Sequence, residues 1–271
     1  MKIAIIGAGM AGLTCAGRLS ANGHDVQLFD KGRGPGGRMA SRRAEVAGQT
    51  LHFDHGAQYL TVRDERFRRK VESWEADGLV TPWPAAGEGA WVGTPAMNAP
   101  VKAMATAADV SFGIRVDTVR AVGTGWKLVG QEVPRAIYDA VISAVPAEQV
   151  PELLAGSAPE MATLAAETVS DPCWVVQATP EWSRENLEEE PETVIPLLLH
   201  RLSEQAGSAL PDIVHSSAHR WRYAMCGNAG KGALWDGARH IGACGDWLHG
   251  PRIENAFLSG WELAQKVMEN T

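Results

Sequence analysis

Apolar and polar positions follow a regular order over the first part of the chain. Residues 2–6 are apolar after Lys2, residues 10–22 carry apolar side chains at helical spacing, and residues 25–29 are apolar at Val26, Leu28 and Phe29. Short apolar runs predict strands, and the longer periodic segment predicts a helix. A glycine-rich turn separates the first strand from the helix. The pattern therefore predicts a strand, a turn, a helix and a strand.

The later pattern predicts hairpins where apolar and polar residues alternate, and helices where apolar residues recur at helical spacing. The predicted elements are a hairpin at residues 39–46 and 50–53 around Gly48, a helix at 64–77, a loop at 81–95, a helix at 97–107, strands at 110–114, 115–122, 126–129 and 138–145, helices near 147–167 and 192–206, strands near 172–179 and 212–223, a strand at 239–244 and a helix at 253–269. The run at 138–145 is apolar almost throughout and ends at Pro146, which is typical of a central parallel strand.

Three glycines in the first turn have the spacing of a dinucleotide-binding turn. Gly7 permits the tight turn, Gly9 lets the backbone approach a pyrophosphate, and Gly12 lets the helix lie close to the sheet. Met10 and Ala11 open the helix, whose amino end presents N–H groups and a positive dipole to phosphate. The turn therefore predicts a bound dinucleotide.

The segment after the second strand distinguishes between dinucleotides. Asp30 ends that strand, where a carboxylate can accept hydrogen bonds from both hydroxyls of an adenosine ribose. Residues 31–38 then form a second glycine-rich loop with cations. A domain that binds only NAD has no need of this loop, whereas Arg38 can neutralise a pyrophosphate with its planar donors. The second loop therefore favours FAD.

Composition excludes several classes of partner. The chain of 271 residues has a net charge of −7, which gives no reason to expect nucleic acid or an anionic membrane as a partner. No segment reaches the roughly 20 apolar residues of a membrane span. The glycine spacing of residues 7–12 argues against a signal peptide. The four cysteines show no pairing pattern, which fits reduced thiols. We expect a cytoplasmic protein, and the sequence does not indicate its oligomeric state.

Asp30 followed by Gly36, Gly37 and Arg38 resembles the extended FAD signature of the flavin amine oxidase and desaturase superfamily. Residues 54–59, 91–97, 218–221 and 245–247 resemble its bacterial renalase-like branch, and the resemblance covers the whole chain. It implies an α/β fold in which a Rossmann-like FAD-binding domain carries a reduced, mixed α+β substrate domain, or cap. The expected domains are discontinuous: residues 1–45, 97–146 and 238–271 bind FAD, and residues 46–96 and 147–237 form the cap.

The resemblance also implies the residues that bind FAD non-covalently. They are Gly7, Gly9, Met10, Ala11, Gly12, Asp30, Lys31, Gly37, Arg38, Met39, Gly56, Ala57, Gln58, Val116, Ala144, Gly245, Asp246, Ile253, Glu254, Asn255 and Ala256. The helix that begins at Ile253 is expected to point its amino end at the pyrimidine edge of the flavin. A reduced flavin carries negative charge near that edge, and the helix dipole offsets it.

Aromatic residues are the candidates for a substrate pocket over the flavin: His219, Trp221, Tyr223, Trp247 and Tyr59. Aromatic walls can hold a flat substrate ring at hydride-transfer distance without acid or base catalysis. The alternative for each residue is an ordinary place in the core. A metal site at residues 52–55 is not predicted, because strand alternation places His52 and Asp54 on one face and His55 on the other.

The renalase-like resemblance implies oxidation of an isomeric dihydronicotinamide dinucleotide, with dioxygen as the acceptor. A flavin amine oxidase is the first alternative, although residues 169–178 lack the lysine that such enzymes tend to carry. A flavin-binding protein with little turnover and a reductase that uses only NAD(P) are further alternatives. The cap also departs from its renalase-like relatives, because the loop at 84–90 is shorter and Ala90 replaces an arginine.

Overall fold

A computed structural model describes residues 1–46, 49–54, 56–168, 182, 185–186, 188–206, 216, 218 and 226–269. Its strands are β1 (Lys2–Ile6), β2 (Asp25–Asp30), β3 (Ser41–Val46), β4 (Gln49–Asp54), β5 (Leu60–Thr61), β6 (Val80–Pro82), β7 (Ala90–Gly93), β8 (Val110–Phe112), β9 (Thr118–Val122), β10 (Gly125–Val129), β11 (Ala140–Ser143), β12 (Leu234–Asp236) and β13 (Ile241–Ala243). Its helices are α1 (Met10–Ala21), α2 (Glu65–Ala76), α3 (Ala99–Thr106), α4 (Val150–Leu154), α5 (Pro159–Thr168), α6 (Pro191–Ala206) and α7 (Ile253–Glu269).

The central sheet of the described residues has the strand order β12, β13, β11, β1, β2, β8. The neighbours from β13 to β8 are parallel, and β12 pairs with β13 in the antiparallel direction at the edge. β11 lies between β13 and β1, so the predicted central parallel strand is confirmed. Its continuous apolar sequence fits a strand that is covered on both faces.

Successive residues of β1 enter different cores on the two faces of the sheet. Ile3 and Ile5 belong to a cluster that includes residues of α1 and α7, whereas Ala4 and Ile6 belong to a cluster on the opposite face. This alternation follows from the two-residue period of a strand. Layers on both faces of a mostly parallel sheet give the predicted α/β architecture.

Helices α1 and α7 are in backbone contact on one face of the sheet. A Cβ atom added at Gly260 would lie only 2.1 Å from the carbonyl oxygen of Ala11. Arg18 of α1 also stacks on Trp261 of α7, with its guanidinium carbon 3.5 Å from the ring centroid. A side chain at position 260 would therefore force the two helices apart.

Smaller units surround the sheet and agree in part with the predictions. Strands β3 and β4 form the hairpin expected around Gly48, and β5, β7 and β6 form a three-stranded antiparallel sheet. Asp64 is the N-cap of α2, as predicted, because its carboxylate accepts a hydrogen bond from the N–H of Arg66 at 2.8 Å. The apolar face of α2 is buried through Phe67, Val71 and Trp74.

The structure differs from the predicted elements in several places, and the short strands β5 and β6 are among the elements that were not predicted. Residues 81–95 are not entirely loop, because they contain β7. The helix expected near 147–167 is divided into α4 and α5, and α5 begins at Pro159, a favourable residue for a first helical turn. The three residues of β12 were not predicted, since a strand this short has no clear periodicity. The strand expected near 172–179 lies outside the described residues, as does the strand expected near 212–223 apart from residues 216 and 218.

None of the helices in the described part of the chain is both long and apolar enough to cross a membrane.

Candidate cofactor site

The carboxyl ends of the parallel strands carry the predicted binding residues. Gly7 follows β1, Asp30 ends β2, Ala144 follows β11, and Gly245 lies two residues beyond β13. Ligands of open α/β sheets bind in the crevice outside these strand ends. The topology therefore brings four distant parts of the sequence to one edge.

The first glycine turn is packed closely on one side and open on the other. Gly7 has φ +107°, and a Cβ atom added there would lie 2.6 Å from the carbonyl oxygen of Ala144. A Cβ atom added at Gly12 would lie 2.0 Å from the carbonyl oxygen of Gly7. A Cβ atom added at Gly9, in contrast, would meet no atom within 4 Å. Gly7 and Gly12 are thus needed for packing, whereas Gly9 faces free space that a ligand can enter.

The amino end of α1 has the properties of an anion site. Gly9 is its N-cap and supplies no side-chain hydrogen bond, and the first turn contains no acidic residue. The first N–H groups of a helix have no partner within the helix and carry its positive dipole end. This end is therefore suited to bind phosphate.

Asp30 connects the two glycine-rich loops. Its Oδ2 accepts a hydrogen bond from the N–H of Ala8 at 2.8 Å, and its Oδ1 accepts one from the N–H of Gly32 at 2.7 Å. Each carboxylate oxygen can accept more than one hydrogen bond. Asp30 can therefore hold both loops and still accept bonds from the hydroxyls of a ribose.

The second glycine loop approaches the first. Gly37 has φ +52°, and a Cβ atom added there would lie 3.7 Å from the Cα of Gly9. Met39, which closes this loop, is buried. Lys31 donates a hydrogen bond from Nζ to Oε1 of Gln149 at 2.8 Å, and its pKa is lowered chiefly by burial. The two loops therefore present backbone to the same space beside Gly9.

Arg38 and Asp246 form a bidentate ion pair at this site. Arg38 Nη1 donates to Asp246 Oδ2 at 2.6 Å, and Nη2 donates to Oδ1. Burial disfavours the charge of Arg38, but the adjacent carboxylate outweighs burial and raises the pKa of Arg38. The carbonyl of Arg38 also accepts a hydrogen bond from the N–H of Ala57 at 2.8 Å. The structure thus joins the second loop to two other predicted binding segments.

Two further residues near this ion pair were not predicted from the sequence. Burial and the Asp246 carboxylate raise the pKa of the Cys226 thiol to about 12, so the thiol stays protonated at neutral pH. Glu148 also interacts electrostatically with Arg38 and Asp246. Neither residue belongs to a recognisable motif. The one sequence signal for Glu148 is its position just after the strand that ends at Pro146.

Glu254, a predicted binding residue at the start of α7, makes several contacts through its side chain. Glu254 Oε1 accepts hydrogen bonds from the N–H groups of Arg63 at 2.5 Å and Asp64 at 2.8 Å. Glu254 Oε2 also pairs with Arg252 at 3.1 Å. The Glu254 side chain therefore anchors the segment between β5 and α2, and its backbone N–H at the helix start is the group suited to a cofactor.

The loop that leads into α7 is fixed in a similar way. Asn255 Nδ2 donates hydrogen bonds to the carbonyls of His249 at 3.3 Å and Gly250 at 3.0 Å. The N–H of Gly245 donates to Oγ of Ser259 at 3.0 Å. Ile253 and Ala256 are half-buried against the core that contains α1 and α7. These contacts fix the direction of the helix that begins at the site.

The two aromatic candidates that the structure describes, Trp247 and Tyr59, have different surroundings. Trp247 is fully buried in the second core, and its indole N–H has no hydrogen-bond partner. Tyr59 is 44% exposed and contacts Trp83, which is 38% exposed, edge to face with ring centroids 6.1 Å apart. Trp83 was not among the predicted site residues. His219, Trp221 and Tyr223 lie outside the described residues.

The remaining candidates have different surroundings. Gly56 is buried, Ala57 is half-buried and Gln58 is exposed, so this segment runs from the interior to the surface. Val116 is half-buried and packs against the second core cluster. His55 lies outside the described residues. Residues 56–59 therefore connect Arg38, which pairs with Asp246, to the exposed aromatic pair of Tyr59 and Trp83.

The nucleotide-binding part of the chain resembles known families. Residues 5–74 match the model of an NAD(P)-binding Rossmann-like domain. The 4,4'-diapophytoene desaturase (4,4'-diaponeurosporene-forming) of Staphylococcus aureus (strain Newman) is 54% identical over 64 residues. That match covers 24% of this chain and 12% of the desaturase. The family model thus matches the part of the chain that contains both glycine loops, and the chain spans about an eighth of the length of the desaturase it matches.

Solved structures resemble the chain over a much larger part. A chain from Exiguobacterium sp. 255-15 described as a protoporphyrinogen oxidase has a TM-score of 0.68 at 10% identity, over 99% of both chains. Wild-type putrescine oxidase bound to putrescine has a TM-score of 0.64 at 11% identity, again over 99% of both chains. At these identities the likeness shows the fold, which is the predicted α/β fold with a Rossmann-like domain.

Proposed function

We propose that this protein is an oxidoreductase that binds FAD non-covalently and takes hydride from a reduced, nitrogen-containing small molecule. The observation that carries the proposal is the convergence of both glycine loops at Gly9 and Gly37, beside Arg38 and Asp246. A fold that binds only one nucleotide at the first turn does not require the second loop. The match of residues 5–74 to a Rossmann-like nucleotide-binding domain covers both loops and supports the proposal.

The residues present fit FAD in several respects. The open space beside Gly9 and the acid-free amino end of α1 suit the diphosphate. Asp30 retains acceptor capacity for the adenosine ribose. The amino end of α7, from Ile253 to Ala256, suits the electron-rich pyrimidine edge of a flavin. When bound, FAD would supply the hydride acceptor.

The protein residues would mainly orient the substrate and limit the access of water. Tyr59 and Trp83 form an exposed aromatic pair at the end of the segment that leads from Arg38 through Ala57. Such a pair can stack against a flat ring and hold it in a reactive orientation. No acid or base is required for a substrate that loses hydride readily.

We propose an isomeric dihydronicotinamide dinucleotide as the substrate and dioxygen as the electron acceptor. The support is the resemblance of residues 54–59, 91–97, 218–221 and 245–247 to the renalase-like branch. The similarity in fold to putrescine oxidase keeps amine oxidation as the alternative, and the missing lysine in residues 169–178 counts against it.

The visible spectrum of the purified protein tests the proposal. We expect a yellow protein whose flavin absorbance bleaches anaerobically with an isomer of NADH and returns in air. Bleaching by simple amines instead would favour the amine oxidase. A yellow protein that no reductant bleaches would indicate a flavin-binding protein with little turnover. A correctly folded protein that is colourless and takes up no FAD would contradict the proposal.

A further inference from the structure

Glu148 has a carboxyl oxygen that the structure leaves without a partner. The residue lies in the short 3₁₀ turn Ala147–Gln149, just beyond the carboxyl end of β11. Its Oε1 is buried and makes no hydrogen bond. Buried polar atoms in folded proteins nearly always have partners, so an unpaired one indicates a missing ligand or water. This oxygen therefore requires an explanation.

The turn of Glu148 lies beside both glycine loops. The neighbouring residue Gln149 accepts a hydrogen bond from Lys31, which directly follows Asp30. Glu148 itself interacts electrostatically with Arg38 and Asp246. The turn thus adjoins the proposed ribose site at Asp30 and the proposed diphosphate site at Arg38.

Burial, more than the neighbouring charges, favours the neutral form of Glu148. Burial is the largest cause that raises the pKa of Glu148, and Asp246 raises it further, whereas its own backbone N–H and Arg38 lower it. Arg38 already uses both terminal nitrogens on Asp246. The nearby Cys226 thiol is protonated, and Lys31 is bonded to Gln149. Arg38 and Lys31 thus direct these hydrogen bonds to Asp246 and Gln149 rather than to Glu148.

We propose that Glu148 binds the cofactor as a neutral carboxylic acid that donates a hydrogen bond to a phosphate oxygen of the diphosphate. This inference depends on the proposed FAD function. An ionised Glu148 would place a further negative charge next to the diphosphate and would lack a donor. The neutral acid supplies an O–H donor, and hydrogen bonds from O–H to an anionic oxygen are among the stronger ones.

A neutral Glu148 donor makes FAD affinity depend on pH. The affinity of the unaltered protein should fall as pH rises through the pKa of Glu148, because the donor proton is lost. Glu148→Gln keeps an N–H donor at every pH, so its affinity should stay high and this pH dependence should disappear. Glu148→Ala should bind FAD about tenfold more weakly at acid pH, as expected for the loss of one hydrogen bond to a charged group.

The measurement is a titration of the apoprotein with FAD, followed by flavin fluorescence, from about pH 5 to about pH 9. Glu160→Gln is the matched control, because the Glu160 side chain is 81% exposed on α5. The thermal midpoint of each apoprotein is measured in parallel, so that a folding defect is not mistaken for weak binding.

The outcomes separate this inference from the proposed function. If the unaltered, folded protein takes up no FAD, both fail. If it takes up FAD and Glu148→Ala has the same affinity and pH profile, the inference about Glu148 is wrong and FAD binding stands. An affinity that rises with pH and is lost in Glu148→Gln would also overturn the inference, because it would identify an ionised acceptor.

Discussion

Arg38 and Asp246 are 208 positions apart in the chain, and their side chains meet through two parallel hydrogen bonds. Asp246 has 7% of its side chain exposed and Arg38 has 29%. A bidentate ion pair fixes the relative orientation of the two side chains as well as the distance between them. The pair thus joins the second glycine loop to the turn that precedes α7.

Removal of one member of this pair should destabilise the protein. Asp246→Asn is expected to lower the free energy of unfolding by roughly 2 to 3 kcal/mol, because Arg38 loses its counter charge in a largely buried place. Urea unfolding of the apoprotein measures the change. Arg38→Met combined with Asp246→Asn should cost less than the sum of the two single changes. Strict additivity would contradict direct coupling between the two residues.

Substitution of two glycines in the first turn separates effects on packing from effects on FAD binding. Gly7→Ala should lower the free energy of unfolding by roughly 2 to 4 kcal/mol, because the positive φ and the contact with Ala144 both oppose a Cβ atom. Gly9→Ala should fold with near-normal stability but bind FAD at least about tenfold more weakly, since its methyl group enters the open space. Thermal unfolding and FAD titration measure the two effects. Equal FAD affinity for Gly9→Ala and the unaltered protein would place the diphosphate elsewhere.

Trp83 should contribute to substrate binding rather than to folding. Trp83→Ala is expected to raise KM several-fold, with a smaller change in kcat, because a stacking surface beside Tyr59 is lost. FAD affinity should be unchanged. Ile137→Ala is a control at another exposed apolar side chain, which is 58% accessible. A loss of kcat at unchanged KM would indicate that Trp83 acts in some other way.

Asp64 should give an acid-dependent contribution to stability. Its side-chain hydrogen bonds with Arg66, above all, lower the pKa of Asp64 in the folded protein. The contribution is therefore present above the unfolded-state pKa and is lost as pH falls through the folded-state pKa, below about pH 4. Asp64→Asn keeps a suitable N-cap but removes the charge.

We expect Asp64→Asn to lose roughly 0.5 to 1 kcal/mol of unfolding free energy at neutral pH, a small amount because the ion pair is partly exposed. Urea unfolding at several pH values should show the difference shrinking in acid. Asp77→Asn, at the carboxyl end of the same helix, is the control, because the helix dipole does not stabilise a negative charge there. A difference that does not depend on pH would contradict the electrostatic explanation.

Local patterns were sufficient to predict the elements of the nucleotide-binding turn. The bounds of β1, α1 and β2 follow from short apolar runs and from glycine spacing, which depend on neighbouring residues alone. The helix from Ile253 to Glu269 was predicted with the same bounds that the structure has. Its amphipathic period and its position after a glycine-containing loop were sufficient signals.

Contacts between distant segments could not be predicted in the same way. Glu254 binds the N–H groups of Arg63 and Asp64 from 191 and 190 positions away, respectively, and no periodicity indicates such a pairing. The unpaired oxygen of Glu148 likewise depends on where Arg38 and Asp246 lie. The burial of Trp247 depends on elements packed over it from several parts of the chain. These features result from tertiary packing, which a single sequence does not display.

The contact of Gly260 with Ala11 has a consequence for how the protein is made. Gly260 lies 249 positions after Ala11 (260 − 11), so α1 is synthesised long before the segment that must lie against it. Until then α1 lacks the helix that packs against it in the folded protein. The proposed FAD site, which uses the amino ends of both helices, would therefore be complete only near the end of synthesis, and nascent chains interrupted before position 260 should not retain FAD.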